Sequence, residues 1–261
     1  MSLTLLVGYL ILGRGDAPSW VDRRVATLQY ETAGKEAQNP AAAIKNIDEA
    51  IKRKPNNALS YYQKAVMVAK AGNWKRADQL IAKGNGCKYC IDYQWSEFRI
   101  LSQYLGLSQA KDFAVQFQKD RKSIPVDLRV QLASDVRAMS TRLMATEPPS
   151  EYCLLFGSTV RSYADHVLVE ALGNGPGLAA AQQNLAADDA WRVELRKLWV
   201  QHQTELDYHS FMDKYGFGDL AADVETAQLS PEVIKKLKAA SDDYVGKLDA
   251  TFQDIRTRIP G

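Results

Sequence analysis

Cys87 and Cys90 form a C-x-x-C inside the stretch AKGNGCKYCID, Ala82 to Asp92. Thiolates at this spacing can bind zinc or exchange a disulfide. A closed structural zinc site needs four ligands, commonly a second such pair or two suitably spaced histidines. This chain adds only Cys153 and the scattered His166, His202 and His209. Redox chemistry needs a helix N-terminus in a βαβ setting to lower the thiol pKa, and no strand pattern flanks the pair. The remaining reading is structural. Gly84 and Gly86 end one helix and Asp92 can open the next, so the cysteines clip a corner between helices. In an oxidising compartment a Cys87–Cys90 disulfide would stiffen that corner, with little gain from closing so short a loop.

The second pattern lies in LRKLWVQHQTELDYHSFM. His202 and His209 share a helix stripe with Leu195, Leu198 and Leu206, but seven residues separate them by about 10.5 Å of helix rise, too far to chelate one ion together. Glu205 is placed to pair with either histidine. This face offers a metal-dependent hydrolase or oxidoreductase as the alternative function. A di-metal bundle would need Glu-x-x-His on two helices, and the motif is on neither. Gly173, Gly175 and Gly177 precede a helix, but a dinucleotide loop requires a preceding strand and a differently placed third glycine. That segment reads as an interhelical loop. No G-x-S-x-G is present.

The elements that must position these groups are helical. Apolar residues recur at three- and four-residue steps almost throughout, with no alternating β-branched run, so the fold class is all-α. At 261 residues the chain can bury roughly 70–75% of its unfolded surface without external staples. Thirty-three basic against 31 acidic residues give a net charge of +2, with neither sign in a long block, which argues against a nucleic-acid partner. The apolar run from Leu3 to Leu12 is shorter than the roughly 17–25 residues needed to span a bilayer. Residues 1–17 instead have the length of a secretory h-region with a small-x-small pattern at Gly15 and Ala17, although a basic n-region is missing. Export, or a periplasmic location, follows if this is a signal remnant; otherwise the chain is cytoplasmic.

Proline and glycine punctuation cuts the first half into short paired helices and leaves longer ones after Pro125, at about 126–146, 150–172, 188–215 and 231–258. Shorter pieces are expected near 178–186 and 219–227. Gly106 is expected to mark a stop. Ser230, Pro231 and Glu232 spell a helix start. The stripe Ile234, Leu237, Tyr244, Leu248, Phe252, Ile255 and Ile259 should then close a bundle.

The stretch ALSYYQKAVMVAKAGNWKRADQLIAKG, from Ala58, places Tyr61, Ala65, Val68, Gly72, Trp74, Ala77 and Ile81 at the spacing of a helical hairpin of 34 residues, and it resembles a tetratricopeptide repeat. Small Ala65 and Ala77 suit a close helix crossing, Gly72 permits the turn, and Tyr61 and Trp74 fill space between neighbouring hairpins. The preceding PAAAIKNIDEAIKRKPNN matches a second helix one period earlier. Trp95, Phe98 and Gly106 continue the register with departures at Arg99 and Ala110. The segment after Pro148 is similar to exported bacterial helical proteins to which no activity attaches.

These readings divide the chain into an apolar segment at 1–17, tetratricopeptide-like hairpins at 19–122 and a helical bundle at 125–261. The resemblance implies a non-enzymatic scaffold or adaptor for a protein or peptide, with no cofactor and no metal. Its ligand wall carries over to Leu59, Tyr62, Val66, Ala69 and Lys70, then to Tyr93, Ser96, Ile100, Gln103 and Tyr104. The competing expectation is that the chain's own helices fill this concavity.

Overall fold

The structure, a computed structural model, describes residues 20–36, 38–91, 105–146, 151–205 and 231–259. Among these the secondary structure is helical, apart from one isolated bridge between Asn57 and Tyr89. In order come α1 (Trp20–Lys35), α2 (Pro40–Arg53), α3 (Ala58–Lys70), α4 (Trp74–Asn85), α5 (Leu105–Asp120), a 3-10 turn at Arg121–Ser123, α6 (Val126–Met144), α7 (Glu151–Leu172), α8 (Leu178–Glu205) and α9 (Pro231–Thr257). The all-α reading holds.

Asparagine starts three consecutive helices. The side chains of Asn39, Asn57 and Asn73 accept from the backbone N–H groups of Ala42, Leu59 and Arg76, satisfying donors that a first turn leaves open. Pro40 follows Asn39 at the first helical position, where a missing N–H costs nothing. Gly72 turns the chain between α3 and α4 at φ 79°, a left-handed conformation that glycine adopts without strain. Gly106, expected as a stop, is the second residue of α5 and so stands at a helix start. The expected break between 186 and 188 is absent, and α8 runs through it unbroken. No glycine or proline interrupts Leu185 to Trp191, and Asp188 is held by arginines rather than by its own backbone.

The described chain divides into two compact units, Trp20–Arg192 and a second that runs from Val193 to Ile259, the division falling within α8. In the first unit α1 packs on α2, α3 on α4, and α6 along α7. The first two pairs are joined by α2 against α3. Helix α5 covers α3 and α7 and touches α1, while α6 lies on α4. The core extends from Leu59, Ala65 and Ala77 through Phe113 and Phe117 to Leu132, Val136 and Val160. It therefore continues well past residue 122. Trp74 packs on Phe113 and Phe117 at ring distances of 5.9 and 6.0 Å, tying the start of α4 to α5. Helices α6 and α7 approach closely at Gly157, where an added Cβ would strike Met144 and lie 3.0 Å from the Ser140 carbonyl.

In the second unit α9 begins at Pro231 with Glu232 in its first turn, and Ile255 is fully buried. Ser230, residues 1–17 and the piece near 219–227 lie outside the described residues.

Candidate functional site

Helix α3 is interior on nearly every side, because α2, α4 and α5 all pack against it. Of the expected ligand wall, Leu59, Tyr62, Val66 and Ala69 are buried. The Tyr62 ring lies against Gly84, where a Cβ would collide with it, and its hydroxyl donates to Asn85 Oδ1 at 2.8 Å. Burial holds the phenol proton in place. Polar groups on the same helix are also engaged internally. Gln29 donates to Ser60 Oγ at 2.9 Å, and Gln63 donates to Gln109 Oε1 at 2.8 Å. Gln109 in turn donates to Glu36, which also receives Lys70 at 2.7 Å. Lys70 is exposed. Tyr93, Ser96 and Gln103, with Ile100 and Tyr104, lie outside the described residues. The described part of the wall thus faces the chain's own interior, apart from Lys70.

The most heavily charged interior site joins α6, α7 and α8. Arg161, Asp165 and Asp188 are each 1% exposed. Arg137 reaches Asp165 Oδ1 at 3.0 Å and Asp188 Oδ2 at 3.3 Å, while Arg161 reaches the same Asp188 oxygen at 2.8 Å. Asp165 Oδ2 and Asp188 Oδ1 meet no donor among the described groups. The two carboxyls are close enough for one proton to bond them. Burial first, then Asp188, raises the Asp165 pKa to about 7 against the opposing pull of Arg137 and Arg161. Such a proton-sharing pair is chemically capable of acid–base work. Here both carboxyls are buried, Arg137 alone reaches partly to the surface, and the two arginines balance their charge. It sets the register of three helices. The sequence signal was available: Arg161 and Asp165 stand four apart on one face of α7, among apolar Val160, Ala164 and Val167.

A smaller pair links α4 to α6. Asp78 accepts from Gln131 at 2.9 Å, and burial together with neighbouring Asp135 raises its pKa to about 6.

The cysteine corner is built from backbone. Tyr89 N–H donates to Asn56 O at 3.0 Å, and Ala58 N–H donates to Tyr89 O at 2.8 Å. Asn57 bonds Ile91 in both directions, its Nδ2 to Ile91 O and its Oδ1 from Ile91 N–H, each at 3.0 Å. Cys87, Cys90 and Cys153 are free thiols and all buried. Cys87 Sγ donates to Lys83 O at 3.4 Å, Cys90 Sγ lies 3.3 Å from Thr146 Oγ1, and Arg142 donates to Cys87 O. The segment acts as a clip between α3, α4 and the end of α6, held by these bonds without a disulfide. Burial pushes the Cys87 thiol above its ordinary pKa although Arg142 and Lys83 pull it down, the opposite of an activated thiol.

Around this corner the surface is cationic and aromatic. Trp20 is 69% exposed beneath the Arg53 guanidinium, 5.0 Å from its ring. Tyr89 is 42% exposed beside Lys88 at 5.0 Å, and Lys83 lies 5.1 Å from the Tyr61 ring.

Among the described residues no cluster of three or more His, Cys, Asp or Glu could hold a metal ion, and no helix is long and apolar enough to cross a membrane. His202 and Glu205 fall on α8 and His209 beyond it. The side chains of this alternative site lie outside the described residues. Compared with protein-family models, curated proteins and solved structures, the chain matches none.

Proposed function

We propose that the chain is a helical scaffold that binds a protein or peptide and performs no chemistry of its own, with α3 and α4 forming a tetratricopeptide-like hairpin. The observation that carries the binding reading is the exposed corner around Trp20 and Tyr89. Exposed tryptophan and tyrosine, and an arginine stacked on a ring as Arg53 is on Trp20, are residue types enriched at protein interfaces. The hairpin reading is supported by the fully buried Ala65 and Ala77, by the turn at Gly72 and by Trp74 packing onto the following helix. The surface offered to a partner moves from the wall expected at Tyr62 and Val66 to the outer corner, because the wall is used for folding. Export rests on the pattern in residues 1–17 alone.

The test is affinity capture with the full chain from its source cells, followed by titration of the recovered protein against purified chain. A partner bound by the full chain and lost in Trp20→Ala/Tyr89→Ala, with helicity retained, supports the reading. Failure to retain any partner in direct titration overturns it.

A further inference from the structure

We infer that the corner surface running from Trp20 to Lys88 is a docking site for an acidic segment of a protein partner, a specification that rests on the scaffold reading. The surface is continuous. Trp20 carries Arg53 over its ring, and Lys54 bonds Asp22 at 2.9 Å, joining the start of α1 to the end of α2. Pro55 and Asn56 follow at the surface. The Pro55 carbonyl accepts from the Tyr61 hydroxyl at 3.1 Å and the Asn56 carbonyl from Tyr89 N–H at 3.0 Å, which brings Lys83, Lys88 and Tyr89 alongside.

Charge decides the ligand class. Contacts place Arg53, Lys54, Lys83 and Lys88 here, with Arg24 one turn beyond Trp20 on α1 and Lys52 beside Arg53 on α2, and the carboxylates that bond these cations among the described residues are Asp22 and Glu49. Arg53 is engaged by Glu49 at 2.6 Å and Lys54 by Asp22. Lys52, Lys83 and Lys88 are exposed and have no carboxylate partner among the described residues. Three ammonium groups beside two exposed rings suit a segment carrying several Asp or Glu and an apolar residue to lie on Trp20 or Tyr89. A phosphate backbone fits less well. Nucleic-acid binders track it with a long groove of one sign, and this field is compact and interrupted by Asp22 and Glu49.

The experiment measures anisotropy of a fluorescein-labelled Asp/Glu-rich peptide containing leucine and tyrosine, titrated with the full chain. A single-stranded oligonucleotide and phosphatidylserine vesicles serve as parallel probes. The peptide should bind, and binding should weaken at least about tenfold when salt shortens the screening length from about 10 Å at 0.1 M to about 3 Å at 1 M. Lys52→Glu/Lys83→Glu/Lys88→Glu should weaken it by a similar factor at unchanged helicity. If that variant does not fold, the triple Gln variant takes its place. Peptide affinity unaltered by these substitutions, absence of peptide binding, or stronger binding of the oligonucleotide or the vesicles overturns the proposal. The scaffold reading fails separately: a captured partner that binds the triple variant as well as the unaltered chain preserves the scaffold and removes this surface from it.

Discussion

Asp165 keeps a proton near neutrality because its carboxyl is out of water and faces a second carboxyl, Asp188. In the unfolded chain the same group titrates near 3.9. Between roughly pH 4 and 7 the folded state therefore binds more protons than the unfolded state, and stability from this group falls as pH rises through its folded pKa, by up to about 1.4 kcal/mol per pH unit. Asp78, raised to about 6, acts in the same direction over a narrower window. Asp165→Asn should flatten this slope, since an amide can accept from Arg137 and donate to Asp188 without titrating. Urea midpoints from pH 5 to 8 measure the difference, and parallel curves for the two proteins would refute the shared-proton account. Tyr62 gives a second prediction. Its burial against Gly84 makes Tyr62→Ala cost about 3–5 kcal/mol, as for other large aromatic truncations, so the variant should lose folding rather than only binding. Tyr62→Phe removes the bond to Asn85 while keeping the ring and should cost about 1–2 kcal/mol.

Helix packing makes two small residues indispensable. Gly157→Ala would gain about 1 kcal/mol from helix propensity if space allowed. Here the new methyl meets the Ser140 carbonyl and Met144, and backbone cannot yield as a flexible side chain does. A net loss of about 1–3 kcal/mol is expected from overpacking, read as a lowered Tm. Ala65→Leu inserts three carbons at a fully buried position of α3 and should cost a similar amount. Lys75→Leu, at an exposed position of α4, serves as its control. Equal melting temperatures for the Ala65 variant and the unaltered chain would exclude a tight crossing there.

The unit Trp20–Arg192 contains two hydrophobic clusters, the cysteine corner and all four members of the Arg137/Arg161/Asp165/Asp188 site. A compact unit with its own core is expected to fold alone. The fragment 20–192 should therefore unfold in one cooperative transition, with a far-ultraviolet spectrum of helical shape. A fragment without a transition would show that it needs residues outside 20–192 for its stability.

Local chemistry was legible in the sequence wherever one residue type has one strong backbone preference. Asparagine before Pro40, Ala58 and Trp74 starts helices, Gly72 turns the chain, and Pro231 opens α9, all from short-range sterics and hydrogen bonding. Helical periodicity likewise determined the all-α class. Single breakers were weaker signals. Gly106 marks a helix boundary only to within a residue, standing second in α5. Which face of α3 is interior could not be read from one repeat. The same alternation of Tyr62, Val66 and Ala69 suits an open groove or a filled one, and it is α4, with Gly84 and Asn85 against Tyr62, together with α5 from forty residues further along, that makes this helix core. The charged site has the same origin. Arg161 and Asp165 were neighbours on a helix from the outset, but Arg137 and Asp188 reach them only because three helices converge. The partner of a buried charge is chosen by tertiary distance and not by sequence separation.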